Sequence, residues 1–172
     1  MRYIFVSDIH GSVDGVKKVI EIFKDEGADK LVILGDTASS CDREDNVQIA
    51  TLLNGIQEKV EVIRGNCDTL SFEDMLEFEM YDIDTLYINS KFVTVTHGNY
   101  YNCYNLPQNC GDIFIQGHTH IPMLEKRQEK IFANPGSITR PRGVDLRCYI
   151  LLDDDKIILK TLNGKVVKEI LI

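Results

Sequence analysis

The sequence lacks the features of a membrane-spanning, exported or nucleic-acid-binding protein. Its apolar runs are all shorter than the roughly 20 residues needed to cross a bilayer. The first run begins at Tyr3, which leaves no room for a signal peptide, so we expect a cytoplasmic protein. The net charge of −8 argues against nucleic acid or a membrane surface as partner, because both require a basic face.

The chain also lacks paired cysteines and linkers. No CxxC pair occurs and the number of cysteines is odd, which predicts free thiols in a reducing compartment. These cysteines are Cys41, Cys67, Cys103, Cys110 and Cys148. No proline-rich linker, low-complexity run or repeat interrupts the 172 residues, of which 44% are hydrophobic. We therefore expect one domain covering residues 1–172.

The first half of the chain shows alternating strand and helix patterns. Short apolar runs predict buried strands, and apolar residues at helical spacing predict the helices between them. The predicted elements are a strand at 2–7, a helix from Ser12 to about Glu26, a strand at 31–34, a helix from about Asn46 to Lys59, a strand at 60–63 and a short helix from Ser71 to about Phe78. Ser12 is the expected N-cap of the first helix, and Gly27 its stop.

The second half shows mostly antiparallel strand patterns. Asn89-Ser90 and Asn163-Gly164 are typical of hairpin turns. The predicted strands are 83–88, 91–96, 112–116, two short strands around Gln128, and then 148–152, 156–162 and 165–171. The two halves together predict a mixed α/β fold, in which two sheets pack on each other and helices cover at least the first.

All four histidines of the chain follow apolar, strand-like runs. His118 and His120 are two residues apart and can turn the same way, because side chains alternate faces along extended backbone. Asp8 and His10 repeat that spacing after the first strand. Ligands bind beyond the carboxyl ends of strands in open α/β sheets, so we expect these ends to form one site.

Asp36, Asn66 and His97 complete a set of seven nitrogen and oxygen ligands at five strand ends. Seven ligands are too many for one tetrahedral ion. They fit two divalent ions roughly 3.5–4 Å apart that share one carboxylate and keep positions open for water and substrate. Imidazole mixed with carboxylate favours Mn, Fe, Zn or Ni over Ca or Mg.

Taken singly, each of these residues has a simpler structural interpretation. Asp8 and Asp36 could be helix caps or turn residues, and Asn66 could occupy a left-handed turn beside Gly65. A single histidine at a strand end is more often a satisfied polar residue than a ligand. The simpler interpretation does not explain why every histidine occupies such a position.

The ordered motifs D-x-H, G-D, G-N-C-D, T-H-G and G-H-T-H resemble those of the calcineurin-like metallophosphoesterases. The SDIHG, RGNCD, GHTH-x-P and NPGS segments are most similar to the YfcE-type small prokaryotic phosphodiesterases. The resemblance implies a four-layer αββα sandwich of two sheets flanked by helices. It also implies a dinuclear centre, most often with Mn, in which a metal-bound hydroxide hydrolyses small phosphodiesters.

Carried over to this sequence, the resemblance assigns each ligand to a metal. Asp8, His10 and His120 would hold the first ion, and Asn66, His97 and His118 the second, with Asp36 bridging them. Asp36, Asn66 and His97 would also be the catalytic residues. A homodimer or higher homo-oligomer is expected by the same analogy.

Two of the departures from the wider family concern possible substrate contacts. Cys67 stands where relatives often carry a histidine that protonates the leaving group, and a thiol with a pKa near roughly 8.5 is a poor substitute. Asn99 stands where relatives often carry a second histidine, and it could still contact a metal-bound water or a phosphate. Arg142 is a further candidate for a phosphate contact, whereas Arg140 is expected to be a solvated loop charge.

Two alternatives remain open from the sequence. One retromer subunit uses the same fold as a non-enzymatic protein-binding scaffold with a depleted metal site. All seven ligand positions here carry metal-competent residues, which favours an enzyme. Among enzymes, a phosphomonoesterase or a nuclease is also consistent with the motifs, although the acidic charge argues against a nuclease.

Overall fold

The computed structural model describes residues 1–39 and 43–172. Within these ranges the elements are β1 (Tyr3–Val6), α1 (Val13–Asp25), β2 (Lys30–Leu34), α2 (Arg43–Asn54), β3 (Val60–Ile63), α3 (Leu70–Glu73), β4 (Met80–Tyr81), β5 (Ile83–Ile88), β6 (Lys91–Thr96), β7 (Ile113–Ile115), β8 (Met123–Arg127), β9 (Lys130–Asn134), β10 (Cys148–Leu152), β11 (Lys156–Thr161) and β12 (Val166–Leu171).

The strands form two sheets. The first has the order β12-β11-β10-β1-β2-β3-β4, and the second has the order β5-β6-β7-β9-β8. The segment β1-α1-β2-α2-β3 makes parallel neighbours of β1, β2 and β3. In the second sheet, β6 and β7 are parallel, whereas β5 and β6 form the predicted hairpin with Tyr87 opposite Phe92.

Alternating side chains of the first sheet build two separate apolar cores. Ile4 and Val6 of β1 pack with α1 and α2 on the outer face of the first sheet. Tyr3 and Phe5 of the same strand point the other way, into the core between the two sheets. The mixed α/β fold with two packed sheets is therefore confirmed.

The outer face of the second sheet is covered differently. In the part of the chain that the structure describes, no helix lies after α3, and the loop of residues 98–111 crosses this face. The backbone N–H of Gly111 donates to Thr94, and that of Cys103 donates to Gln116. Beneath the loop, the rings of Phe114 and Phe132 are buried with their centroids 6.2 Å apart. A loop thus takes the place of the helical layer expected on this side.

Most predicted boundaries are confirmed, with three corrections. The second helix was predicted at Asn46–Lys59 but is Arg43–Asn54, because Gly55 disfavours helix and tight turns close its end before β3. The third helix was predicted to start at Ser71, yet Thr69 caps it by accepting the N–H of Phe72. It ends early because the Asn54 side chain bonds the backbone beyond it. The two-residue β4 was not predicted.

Ser12 caps α1 as predicted, since its hydroxyl accepts the N–H of Gly15. Gly27, with φ of 58°, follows the end of α1, as the sequence indicates. Four cysteines are free, namely Cys67, Cys103, Cys110 and Cys148, while Cys41 lies outside the described residues. None of the helices described here is both long and apolar enough to cross a membrane.

Candidate metal centre

The side chains predicted as ligands lie together beyond the carboxyl ends of five strands. They are Asp8 and His10 after β1, Asp36 after β2, Asn66 after β3, His97 after β6, and His118 and His120 after β7. Each sheet contributes parallel neighbours, so their ends point the same way and meet at one edge of the sandwich. The backbone N–H of His118 donates to Asp8 Oδ2 at 2.9 Å and joins the two sheets there.

One group of donor atoms surrounds Asp8. Its Oδ1 lies 3.1 Å from His120 Nε2 and 3.7 Å from His10 Nε2, and the two imidazole nitrogens are 3.1 Å apart. One ligand atom from each of the three residues lies within 4.8 Å of the others. This spacing allows the three residues to bind one ion.

A second group surrounds His97. Its Nε2 lies 3.1 Å from Asn66 Oδ1 and 3.3 Å from His118 Nδ1. Asp36 lies between the two groups, with Oδ1 at 3.5 Å from His97 Nε2 and Oδ2 at 3.8 Å from His10 Nε2. The carboxylate of Asp36 therefore reaches both groups with different oxygens.

The hydrogen bonds of His97 and His120 orient the Nε2 atoms of both rings toward the centre. His97 Nδ1 donates to the carbonyl of Leu34 at 2.7 Å, and His120 Nδ1 donates to the carbonyl of Arg140 at 2.7 Å. In a neutral ring this leaves Nε2 as an unprotonated lone pair facing the centre. Asp8 Oδ1, which faces His120 Nε2, is buried and has no hydrogen-bond donor. Acceptors that converge without donors are the arrangement that a cation satisfies.

Burial keeps the remaining imidazoles suited to metal binding. Burial lowers the pKa of His10, although the carboxylates of Asp36 and Asp8 oppose the shift. Burial also lowers the pKa of His118, and the charge of His97 acts in the same direction. Both rings therefore favour the neutral form, which is the form that binds metal.

Residues 1–156 match the calcineurin-like phosphoesterase superfamily domain. This chain belongs to that superfamily. Phosphodiesterase YfcE of Escherichia coli is 35% identical over 173 residues, covering 96% of this chain and 94% of YfcE. The solved structure described as YfcE, a phosphoesterase from E. coli, superposes with a TM-score of 0.90 over 100% of both chains at 32% identity. The predicted family, the mixed α/β fold of two packed sheets and the phosphoric ester hydrolase activity are confirmed.

Two more distant proteins show how widely the fold is shared. Phosphodiesterase MJ0936 of Methanocaldococcus jannaschii is 29% identical over 143 residues, covering 79% of this chain and 83% of that protein. The structure of Vps29 complexed with zinc from Entamoeba histolytica has a TM-score of 0.65 and 20% identity over 99% of each chain. The latter likeness concerns the fold alone.

The residues of this calcineurin-like phosphoesterase fit the divalent ions that its family implies. The donors are imidazole nitrogens and carboxylate or amide oxygens, and one buried carboxylate oxygen lacks a donor. Within the described ranges, eight residues other than glycine have a left-handed φ. Five of them are ligand candidates: Asp8 (57°), His10 (51°), Asp36 (49°), His118 (66°) and His120 (63°). Such backbone costs about 1–3 kcal/mol each, and it is typical of functional sites.

Two glycines allow the loops of the phosphoesterase to approach this closely. A Cβ on Gly117 would lie 1.8 Å from the hydroxyl of Ser7, and a Cβ on Gly65 would lie 2.3 Å from Asp36 Oδ1. Both distances are far below van der Waals contact. A larger residue at either position would push the loop away from the neighbouring ligand.

Three residues that hold the ligand loops were not identified as functional from the sequence. Asp68 accepts the backbone N–H groups of Thr37, Ala38 and Gly65, which ties the loop after β2 to the loop after β3. Asn134 donates to the carbonyl of Gly117. Ser137 donates to the carbonyl of Asp8 at 2.6 Å. Asp68 belongs to the quoted G-N-C-D motif, and Asn134 and Ser137 belong to N-P-G-S, so the motifs contained the signal.

The candidate substrate contacts fall into two places. A cavity of about 540 Å³ opens over the ligands, and Cys67, Arg140 and Arg142 line it. Asn99 instead lines a separate cavity of about 360 Å³, beside Arg64 and Tyr101. Arg140 is an exposed loop residue, as the sequence predicted, but it also lines the cavity of the ligands, whereas Asn99 does not line that cavity.

Cys67 is a neutral thiol in this cavity. Burial raises its pKa to about 11, and the neighbouring carboxylate of Asp36 adds to the shift. The backbone N–H of Cys67 donates to Asp36 Oδ1 at 2.8 Å, which helps to fix that carboxylate. The side chain is therefore poorly suited both to donate a proton and to act as a thiolate near pH 7.

Proposed function

We propose that this protein is a phosphodiesterase that hydrolyses small phosphodiesters at a dinuclear metal centre. The observation that carries the proposal is the position of Asp36, whose two oxygens face two separate groups of donor atoms. The name of the E. coli relative, phosphodiesterase YfcE, supports a diester as the substrate. A cavity of about 540 Å³ above the ligands has room for a small organic phosphate.

The ligands divide between two ions. Asp8, His10 and His120 would hold the first, and Asn66, His97 and His118 the second, with Asp36 between them. We propose Mn²⁺ as the ion, since imidazole mixed with carboxylate and amide oxygen fits Mn as well as Fe, Zn or Ni. Bound there, two divalent ions would lower the pKa of an attacking water and neutralise charge on the phosphoryl oxygens.

The residues of the chain orient this chemistry. Asp36 is fixed by the N–H of Cys67, and His97 is fixed by its bond to Leu34, so both present their remaining lone pairs to the centre. Asn66 presents a neutral amide oxygen at 3.1 Å from His97 Nε2. We propose that Asp36, Asn66 and His97 form the catalytic set.

Three residues are proposed as substrate contacts. Cys67 and Arg142 line the cavity above the ligands, and a guanidinium matches the geometry of phosphate oxygens. Asn99 would contact a substrate that extends toward the neighbouring cavity. Organisation as one domain, a homodimeric or larger assembly, and a cytoplasmic location complete the proposal.

The experiment that tests this function is hydrolysis of bis-p-nitrophenyl phosphate by metal-stripped protein before and after addition of Mn²⁺. We expect activity to appear with Mn²⁺ and to fall by at least about a hundredfold in Asp36→Asn and His118→Ala, because each removes a ligand. The matched control is Asp14→Asn, whose side chain is 98% exposed on α1. It should retain full activity.

Two outcomes would contradict the proposal. Folded protein that binds Mn²⁺, Ni²⁺ or Zn²⁺ without hydrolysing the diester would exclude a phosphodiesterase of this kind. Binding of a single ion by calorimetry, with full activity, would exclude the dinuclear centre while leaving the hydrolase.

A further inference from the structure

Two arginines face the same cavity as the metal ligands. Arg140 and Arg142 line it together with His10, Asn66 and His118, and both arginines are exposed to solvent. The metal ligands thus form the polar floor of the cavity, and Arg140 and Arg142 form a cationic wall beside them.

The backbone holds this wall in a fixed position. The N–H of Arg140 donates to the hydroxyl of Ser137, and the carbonyl of Arg140 accepts from His120. The N–H of Arg142 donates to the carbonyl of His120 at 3.0 Å. Pro141, between the two arginines, has a fixed φ and disfavours helical backbone at Arg140. The backbone of each arginine is therefore hydrogen-bonded to His120, one of the proposed metal ligands.

The two guanidinium groups have no carboxylate partner among the described residues. Among the residues that the structure describes, no carboxylate forms an ion pair with Arg140 or Arg142, whereas Arg64 and Arg127 pair with Glu73 and Glu125. The contrast is notable in a chain with a net charge of −8. Two cations kept free of carboxylates beside a ligand cavity indicate an anionic group on the ligand.

The scissile group alone does not account for both arginines. A phosphodiester has one negative charge, and the proposed ions on the floor of the cavity already neutralise it. A terminal phosphate monoester has a charge of about −1.5 to −2 near pH 7 and three acceptor oxygens. Such a group matches two guanidinium forks in charge and in hydrogen-bonding capacity.

We propose that the substrate is a phosphodiester that bears a second, terminal phosphate, and that Arg140 and Arg142 bind this second phosphate. The proposal rests on the phosphodiesterase function proposed above and specifies its substrate class. The two arginines then determine specificity, because they distinguish diesters with a terminal phosphate from diesters without one.

The kinetic test compares two substrates with the same leaving group. They are the p-nitrophenyl ester of thymidine 5′-monophosphate and the same ester with a 3′-phosphate, each hydrolysed by Mn²⁺-supplied protein. We expect kcat/KM to be at least about tenfold higher for the 3′-phosphorylated ester, through charge-assisted hydrogen bonds. In Arg140→Gln/Arg142→Gln this ratio should fall to near one. Equal hydrolysis by the wild type, or an equal loss on both esters, would overturn the proposal.

A binding measurement separates this proposal from the phosphodiesterase function. In the presence of Mn²⁺, calorimetry with thymidine 3′,5′-bisphosphate and thymidine 5′-monophosphate should show about tenfold tighter binding of the bisphosphate, because only the bisphosphate can reach the metal ligands and the arginines together. The double variant should lose that preference. If wild-type protein hydrolyses neither ester, the phosphodiesterase function fails, and calorimetry still decides the phosphate site. Equal binding of the two probes to the wild type contradicts the site.

The matched control is Arg147→Gln. Arg147 lies in the next stretch of the chain and lines a different cavity, with Leu162 and Lys165. Its replacement removes one positive charge, as each of the two arginine replacements does, without changing the wall beside the metal ligands. We expect the wild-type ratio in both measurements. A comparable fall in this variant would mean that net charge, and not the two arginines, sets the preference.

Discussion

At the scale of single residues, the raised pKa of Cys67 bears on which leaving groups the site can protonate. With its pKa raised to about 11 by burial, the thiol is a far weaker acid than an imidazolium, whose pKa is roughly 6.5. A leaving group that needs a proton receives little help from it. We therefore expect good turnover of diesters with activated phenolic leaving groups and slow turnover of alkyl diesters.

The prediction is that Cys67→His raises the turnover of alkyl diesters relative to bis-p-nitrophenyl phosphate by about tenfold or more, the lower range of general-acid effects. Kinetics of both substrates with Mn²⁺ at constant pH measure this ratio. Cys67→Ser is the control, because a neutral hydroxyl should leave the ratio unchanged. An unchanged ratio in Cys67→His would show that proton donation at this position does not limit the reaction.

The sequence predicted the role of a residue where both its type and its position in the chain were informative. Four histidines, each just after an apolar run, predicted that three strand ends meet, and Asp36 and Asn66 extended the prediction to two more. The support from Asp68 was not predicted, because its three bonds are to backbone N–H groups, which any loop residue can offer. The position of Arg140 depends on the path of a loop, and no local pattern specifies that path.

At the scale of elements, α3 is held by contacts outside itself. Four residues are too few for a stable isolated helix. Arg64, at the end of β3, donates to both oxygens of Glu73 at 2.7 and 2.8 Å. This pair lies directly before the loop that carries Asn66 and Cys67. It therefore couples the position of α3 to the loop after β3.

We predict that Glu73→Gln lowers the free energy of unfolding by about 1 kcal/mol at pH 7, as expected for a partly buried, two-point ion pair. The hydrogen bonds from Arg64 lower the pKa of Glu73 in the folded state. The contribution is therefore present above the unfolded pKa of roughly 4.3 and is lost as pH falls through the folded value. Urea denaturation from pH 7 down to pH 3 measures both effects.

The control for this prediction is Glu21→Gln, which removes the exposed pair with Lys18 on α1. Its effect should be close to zero throughout the range, since exposed pairs within a helix contribute little. A Glu73→Gln effect that does not diminish at acid pH would mean that packing, and not the ion pair, is lost.

The boundaries of elements were predictable where turn chemistry is local. The β5–β6 hairpin has the predicted bounds, and Asn89 and Ser90 have the left-handed φ that such a turn requires. The end of α3 depends on a side chain from another element, because Asn54 of α2 bonds the backbone of Met75 and Glu77. Contacts across such a distance leave no periodic signal in the sequence.

At the scale of the whole molecule, the metal centre joins the two sheets. Asp8 belongs to the first sheet and His120 to the second, and Asp8 Oδ1 lies 3.1 Å from His120 Nε2 with no hydrogen-bond donor of its own. With His120 in its neutral, metal-binding form and no cation present, the buried carboxylate and the imidazole lone pair would repel each other across the junction of the sheets. The sequence predicted which residues meet there, but it gave no indication of what their meeting does to the metal-free protein.

We predict that a change at Asp8 stabilises the metal-free protein and weakens its binding of metal. In Asp8→Asn, the amide can keep the bond from the His118 N–H and can donate its own N–H to His120 Nε2, which the carboxylate cannot do. We expect the metal-free variant to be more stable than metal-free wild type by about 1–2 kcal/mol. Added Mn²⁺ should stabilise the wild type by about 2.7 kcal/mol at a hundred times its Kd, and the variant by much less.

Thermal and urea unfolding of the wild type and of Asp8→Asn, each with chelator and with Mn²⁺, measure the four stabilities. Asp14→Asn, which makes the same chemical change at an exposed site, should behave like the wild type in every condition. A metal-free Asp8→Asn that is less stable than metal-free wild type would mean that the carboxylate has a donor in the folded protein. The two sheets would then be held together at this point without metal, and the metal would have only a chemical role.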